Sequence, residues 1–186
     1  MRSLFLALLL SAGWCALSGC ATVGGTVTYF YEEVPPVDGT TVAVIPHEEQ
    51  AKTLEWDVYK GQIEAQLERA GFTILPNSSR PTLYCTATYS IDAPGDTRTR
   101  TVTQSVNGRV VGVSNVTSQV HQRVLVLRFF RESSQIRADG RPFVEIRVVS
   151  EGGSADLATV MPALTQIALS KWPGKEGKSY FVEVPL

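Results

Sequence analysis

TRTRTVTQSVNGRVVGVSNVTSQVHQRVLVLRFFR, residues 97–131, is the stretch on which the fold turns. Asn107-Gly108 supplies the two residues that a type I′ turn needs at positive φ, and β-branched runs flank it on both sides. Two strands are predicted, Thr97–Val106 and Arg109–Gln119. A two-residue turn then sets their register, with Val102 facing Val113 and Thr101 facing Ser114. Neither face of this hairpin is richly apolar, so part of it is expected to project into solvent. Beyond it, Gln119–Arg131 has an all-apolar centre, Val124-Leu125-Val126-Leu127, which reads as a core strand.

The pattern extends in both directions. In Pro81–Ile91, Leu83, Cys85, Ala87, Tyr89 and Ile91 alternate with polar or smaller residues, so Cys85 falls on the apolar face of a strand. A buried Cys acts as a small hydrophobe rather than a reactive thiol. Thr53–Ala70 reads as a helix capped by Thr53. Trp56, Tyr59, Ile63, Leu67 and Ala70 form its apolar stripe, and Gly71 is placed as its left-handed C-terminal cap. Thr41–Ile45 is a continuous apolar run stopped by Pro46, as expected of a central strand buried on both faces. In residues 20–39, Val27, Tyr29 and Tyr31 alternate as a first strand, with a tether as the alternative. Downstream, Arg141–Ser150 reads as a strand entered through a turn at Asp139-Gly140. A second helix begins after Gly152-Gly153 with Ser154 as N-cap and Leu157, Met161, Leu164, Ala168 and Trp172 as its stripe. Pro162 should kink or restart that helix. Ser179–Val184 reads as the last strand.

This order implies an α+β fold, a two-layer sandwich in which two helices pack on one face of a mainly antiparallel sheet. Residues 40–186 are expected to form a single domain. The 186 residues are 44% hydrophobic and 19% charged, which fits a globular chain. With a net charge of −1 there is no cationic excess for nucleic acid.

The first twenty residues carry the most specific motif. Met1-Arg2 precede the apolar run Leu4–Leu10, and no charge falls between Ser3 and Glu32. The run is too short for a membrane span, which needs about 20 apolar residues, and it fits a signal peptide over residues 1–19. Leu17-Ser18-Gly19-Cys20 resembles the lipobox of bacterial lipoproteins. The small residues suit a peptidase groove, and the Cys thiol accepts diacylglycerol. The resemblance implies cleavage between Gly19 and Cys20, then diacylglycerol and an N-acyl chain on Cys20. Several acyl chains on one residue give lasting attachment, where a single chain gives only marginal binding. Ala21 stands where Asp would imply inner-membrane retention. That points to an outer-membrane lipoprotein facing the periplasm.

Three further stretches are similar to the domain-of-unknown-function 4136 family of bacterial lipoproteins: Leu67–Phe72 closing the first helix, Asp156–Pro162 in the second, and Trp172–Gly174 after it. Membership would imply a fold and a location but no reaction.

The sequence carries no complete catalytic signature. His47-Glu48-Glu49-Gln50-Ala51 begins like a zincin motif but has Ala51 where the second histidine belongs, and His121 is the only other histidine. The chain is therefore read as a non-enzyme without cofactor or metal, apart from the lipid on Cys20. Arg98, Arg100 and Arg109 lie around the polar hairpin that carries Asn107-Gly108, with Asp96 nearby. They offer a binding hairpin for an envelope protein, glycan or lipid, against the plainer reading of a charged, aggregation-resistant edge. Two other readings stand beside a binding or scaffolding domain. One is carriage of a small apolar or lipid ligand between helices and sheet, suggested by Trp56, Tyr59, Met161 and Trp172. The other is a hydrolase using His47 or His121.

Overall fold

The computed structural model describes residues 22–47, 50, 53–76, 79–92, 96–133, 136 and 140–186. Gly19 and Cys20, and Asp139 of the expected turn, lie outside the described residues. Along the chain run β1 (Thr22–Tyr31), β2 (Thr41–Val44), α1 (Leu54–Arg69), β3 (Thr73–Ile74), β4 (Leu83–Ile91), β5 (Asp96–Val106), β6 (Arg109–Phe130), β7 (Val144–Gly152), α2 (Leu157–Leu169) and β8 (Ser179–Pro185).

The strands form one sheet in the order β3-β2-β4-β6-β7-β1-β8, with β5 paired to β6 outside that path. β2 runs parallel to both β3 and β4, and the other pairings are antiparallel. The expected two-layer sandwich on a mainly antiparallel sheet is therefore corrected to a mixed eight-stranded sheet within the α+β class. The physical reason is α1. It returns the chain along the sheet between β2 and β3, so β3 runs in the same direction as β2. The continuous apolar run Val42-Ala43-Val44, at most 2% exposed, is what a strand with parallel neighbours needs.

α1 forms as its sequence directs. Thr53 Oγ1 accepts from the Trp56 amide at 3.2 Å, and Trp56, Tyr59, Ile63 and Leu67 are buried. Gly71 takes φ +98°, and the Phe72 amide donates back to the Leu67 carbonyl at 3.1 Å. α2 differs from expectation at two points. Its N-cap is Asp156, whose carboxylate accepts from the Ala158 amide at 3.0 Å, while the Ser154 hydroxyl accepts from the Asp156 amide at 3.1 Å. The helix also continues through Pro162, burying Val160, Met161, Ala163, Leu164, Thr165, Ile167 and Ala168.

The core draws on both helices and on alternate residues of the strands. Leu125, Leu127 and Phe129 of β6, with Val144, Ile146 and Val148 of β7, are its middle, each at most 2% exposed. Each such side chain contributes about 1.5–3 kcal/mol of transfer free energy. Val27 and Tyr29 of β1 belong to the same cluster, and β1 lies between β7 and β8. At the other side of the sheet Cys85 is fully buried, and its burial pushes the thiol pKa up.

Candidate functional site

The feature that does not belong to the core is the β5–β6 hairpin. β6 is one 22-residue strand where two had been expected. Its second half lies in the sheet, and its first half leaves the sheet with β5 as sole partner. Asn107 and Gly108 adopt φ 51° and 75°, so the predicted type I′ turn forms. The register departs from expectation one step further on. Ser105 pairs with Val110 and Gln104 with Gly112, leaving Val111 as a bulge. Val102 therefore faces Ser114, and Thr101 faces Asn115. The Thr101 hydroxyl donates to Asn115 Oδ1 at 3.0 Å, and the Thr99 and Thr117 hydroxyls lie 3.4 Å apart.

Every residue from Thr101 to Gln119 is exposed except Gly112, which is half-buried. Val106, Val110, Val111, Val113 and Val116 are each 50% exposed or more. The predicted site residues sit on this arm: Arg98 and Arg100 in β5, Asn107 and Gly108 at the turn, and Arg109 at the start of β6. The arm does not bring the five together: Arg98 pairs with Ser118 and Arg100 with Val116 toward its base, whereas Arg109 pairs with Val106 at its tip.

At its base the arm joins the core through a polar contact that the sequence reading missed. His121 and Arg123 occupy the same face of β6 as Leu125, Leu127 and Phe129, and both are buried. Arg123 Nε donates to the Ser154 carbonyl at 3.0 Å. Removal from water pushes the guanidinium pKa down. The group rests on Gly152, where a Cβ would lie 2.5 Å from Arg123 Nη2. The signal was present as an arginine in phase with a hydrophobic alternation.

The two histidines do not meet. His47 is exposed beyond β2 and lines a surface pocket of about 440 Å³ with Thr86, Arg128, Phe130, Ile136 and Arg141. Those residues gather near the C-terminal end of β6, whereas His121 lies near the middle of that strand, where the arm begins. The pocket's arginines already have carboxylate partners, Arg128 with Glu145 at 2.9 Å and Arg141 with Glu32 at 3.4 Å. Among the described residues no group of His, Cys, Asp and Glu is arranged to hold a metal ion.

The side chains of the ligand-carriage reading pack against protein. Trp56, Tyr59 and Met161 are at most 3% exposed. Trp172 meets Tyr29 edge-on at 5.8 Å and stacks on Phe129 at 6.4 Å. Burial pushes the Tyr29 hydroxyl pKa up to about 12. Burial also raises Tyr59, and the Glu55 carboxylate adds to the effect.

No family model matches the chain, and no curated protein matches it. The domain-of-unknown-function 4136 resemblance thus remains one of short motifs. Several solved structures are similar, among them the three that follow. The PelC dodecamer from Paraburkholderia phytofirmans is 10% identical with a TM-score of 0.43, over 78% of this chain and 96% of that one. A PDZ domain protein from Parabacteroides distasonis is 14% identical with a TM-score of 0.49, over 90% of this chain and 40% of that one. A minor lipoprotein from Acinetobacter baumannii is 8% identical with a TM-score of 0.30, over 70% of this chain and 83% of that one. These are distant likenesses and assign neither family nor function. No helix among the described residues is long and apolar enough to cross a membrane.

Proposed function

We propose that this chain is a lipid-anchored envelope protein whose folded domain binds a partner and catalyses no reaction. Lipid on Cys20 is its attachment, the outer membrane its location, and the periplasmic side its working side. The observation that carries the binding role is the exposed β5–β6 hairpin. A two-stranded ribbon with no core of its own is marginally stable in water. Here it is built on the same strand that forms the middle of the core. Such an arm suits recognition by an element held on a rigid base.

Two measurements test this reading. Mass spectrometry of the exported protein should find residues 1–19 removed and Cys20 carrying diacylglycerol and an acyl chain. An unmodified thiol at Cys20, or an intact leader, would remove the anchor. Crosslinking in intact envelopes should capture partners through the arm, and deletion of residues 99–117 should release them while the domain's thermal unfolding is unchanged. Partners retained by the deleted form would remove the arm from the proposal.

A further inference from the structure

We infer that the outer edge of β8 is a dimerisation edge, and that its partner is β8 of a second copy of this chain, paired antiparallel about a two-fold axis at Phe181. The inference goes beyond the binding role proposed for the arm, and rests neither on that role nor on the Cys20 anchor.

The two ends of the sheet are unlike. β3 closes one end with two residues. β8 closes the other with seven, in unbroken register with β1, and among the described residues no strand lies beyond it. A short or bulged edge resists pairing with another chain, whereas a longer regular edge invites it.

Which backbone groups of β8 are open follows from β1. The Glu32 amide donates to the Phe143 carbonyl at 3.0 Å, in step with the β1–β7 register. Bonding direction alternates along a strand. Even-numbered residues of β1 therefore turn their backbone groups to β7, and odd-numbered ones to β8. Val23, Gly25 and Val27 thus hold Val184, Val182 and Tyr180. Ser179, Phe181 and Glu183 turn their amides and carbonyls away from the sheet. Pro185 turns the same way and has no amide to offer.

That inventory is its own complement. With the axis at Phe181, Phe181 meets Phe181 of the second copy and Ser179 meets its Glu183. Every outward amide then finds a carbonyl, and no amide is asked of Pro185. An axis at Val182 would set Ser179 against Pro185. An axis at Tyr180 would set Glu183 against Gly177, whose amide already serves the Tyr29 carbonyl.

The side chains agree with this pairing. Phe181 is 69% exposed, yet its ring lies back over β1, where a Cβ on Gly24 would come within 2.9 Å of Phe181 Cζ. The ring therefore leaves the strand edge open to another backbone. On the helix side, half-buried Tyr180 meets Val182 of the second copy, an aromatic–β-branched pair of the kind that stabilises sheets. No like charges meet, since Glu183 faces Ser179 and Lys178 faces Val184. The axis reverses β1, so two lipidated Cys20 residues would leave at opposite ends of the joined sheet, and one bilayer holds both with the sheet lying along it.

The test is disulfide trapping of the full-length chain in intact envelopes, with the parent chain as background. Phe181→Cys sets two thiols opposite each other on Cα atoms about 5.5 Å apart, within disulfide reach. Glu183→Cys sets them about 14 Å apart along the strand. Linked dimer at position 181 should exceed that at 183 by about tenfold or more. Co-expressed Ser179→Cys and Glu183→Cys chains should link to each other. Phe181→Pro removes an outward amide together with the ring, which an edge strand tolerates. Its mass by sedimentation should be half that of the parent, with Tm unchanged. The trapping comparison stands however that variant folds. Equal linkage at 181 and 183 means random collision and overturns the inference. Linkage at 181 to a different protein, or sedimentation of the parent as a monomer, overturns it too. A Phe181→Pro chain that stays dimeric places the contact elsewhere and also overturns it.

Discussion

β6 is one strand living under two regimes. From His121 to Phe130 it has β4 on one side and β7 on the other, and most of its side chains are buried. From Arg109 to Gln119 it has β5 alone and water on both faces. The body half is hydrogen-bonded through two ladders and the arm half through one, but a ladder only exchanges bonds to water for bonds to a neighbour, at small net gain. What distinguishes them is apolar area removed from water, large in the body and small in the arm. Stability therefore resides in the body, and the arm adds little to it.

The strongest way to break this comparison is Leu127→Ala. It leaves a cavity in the middle of the core and should cost about 2–5 kcal/mol in a denaturant titration. A truncation on the arm such as Val113→Ala should cost far less, and equal losses would sink the two-regime picture.

Gly152→Ala sharpens the comparison at the junction. Its Cβ meets the buried Arg123 guanidinium at 2.5 Å, and overpacking of this kind costs about 1–3 kcal/mol. Pairing it with Arg123→Met should recover much of the loss, and strict additivity of the two changes would argue against the contact.

Much of the body was legible because its signals are local and mutually consistent. Thr53, the stripe from Trp56 to Leu67 and Gly71 define α1 from cap to cap. The parts that misled were those where a non-local fact decides. The apolar run of β2 already had the character of a strand with parallel neighbours, but strand direction depends on where α1 returns the chain. The bulge at Val111 was not legible because Asn107-Gly108 fixes the turn and says nothing of an extra residue three positions later. Pro162 is expected to kink or restart α2, and it produces no restart. It lies in the second turn of a helix whose buried surface holds it in place on both sides, so tertiary packing outweighed propensity. The arm itself was legible from Asn107-Gly108 and its β-branched flanks.

Thr53→Ala deletes the cap of α1 and should cost about 1 kcal/mol of global stability. The expected loss is uniform across probes of the body, including labelling of the buried Cys85 thiol, which becomes accessible only when the body opens. Gly108→Val acts on the arm, at φ 75°, where a β-branched residue is disfavoured. Amide exchange should accelerate between Thr99 and Thr117 with no change in Tm; a lowered Tm would show the arm to be coupled to the core.

The smallest effect is expected at Asp156. The Thr159 hydroxyl, with the Ala158 and Thr159 amides, holds its carboxyl below the usual range. A depressed folded pKa contributes stability above the unfolded value of about 3.9, and that contribution is lost as pH falls through the folded value. Asp156→Asn should therefore differ slightly from the parent at neutral pH and converge with it in acid, as read from melting temperatures across pH. A gap that widened in acid would contradict the capping role.

The position of β1 has a consequence for the order in which the fold is completed. The first described strand pairs with β7 on one side and β8 on the other, so the segment synthesised earliest is enclosed only by segments synthesised last. Contacts so distant along the chain make for slow folding. A polypeptide emerging from a ribosome cannot finish this sheet until β8 has followed, although β2 to β7 can pair without it.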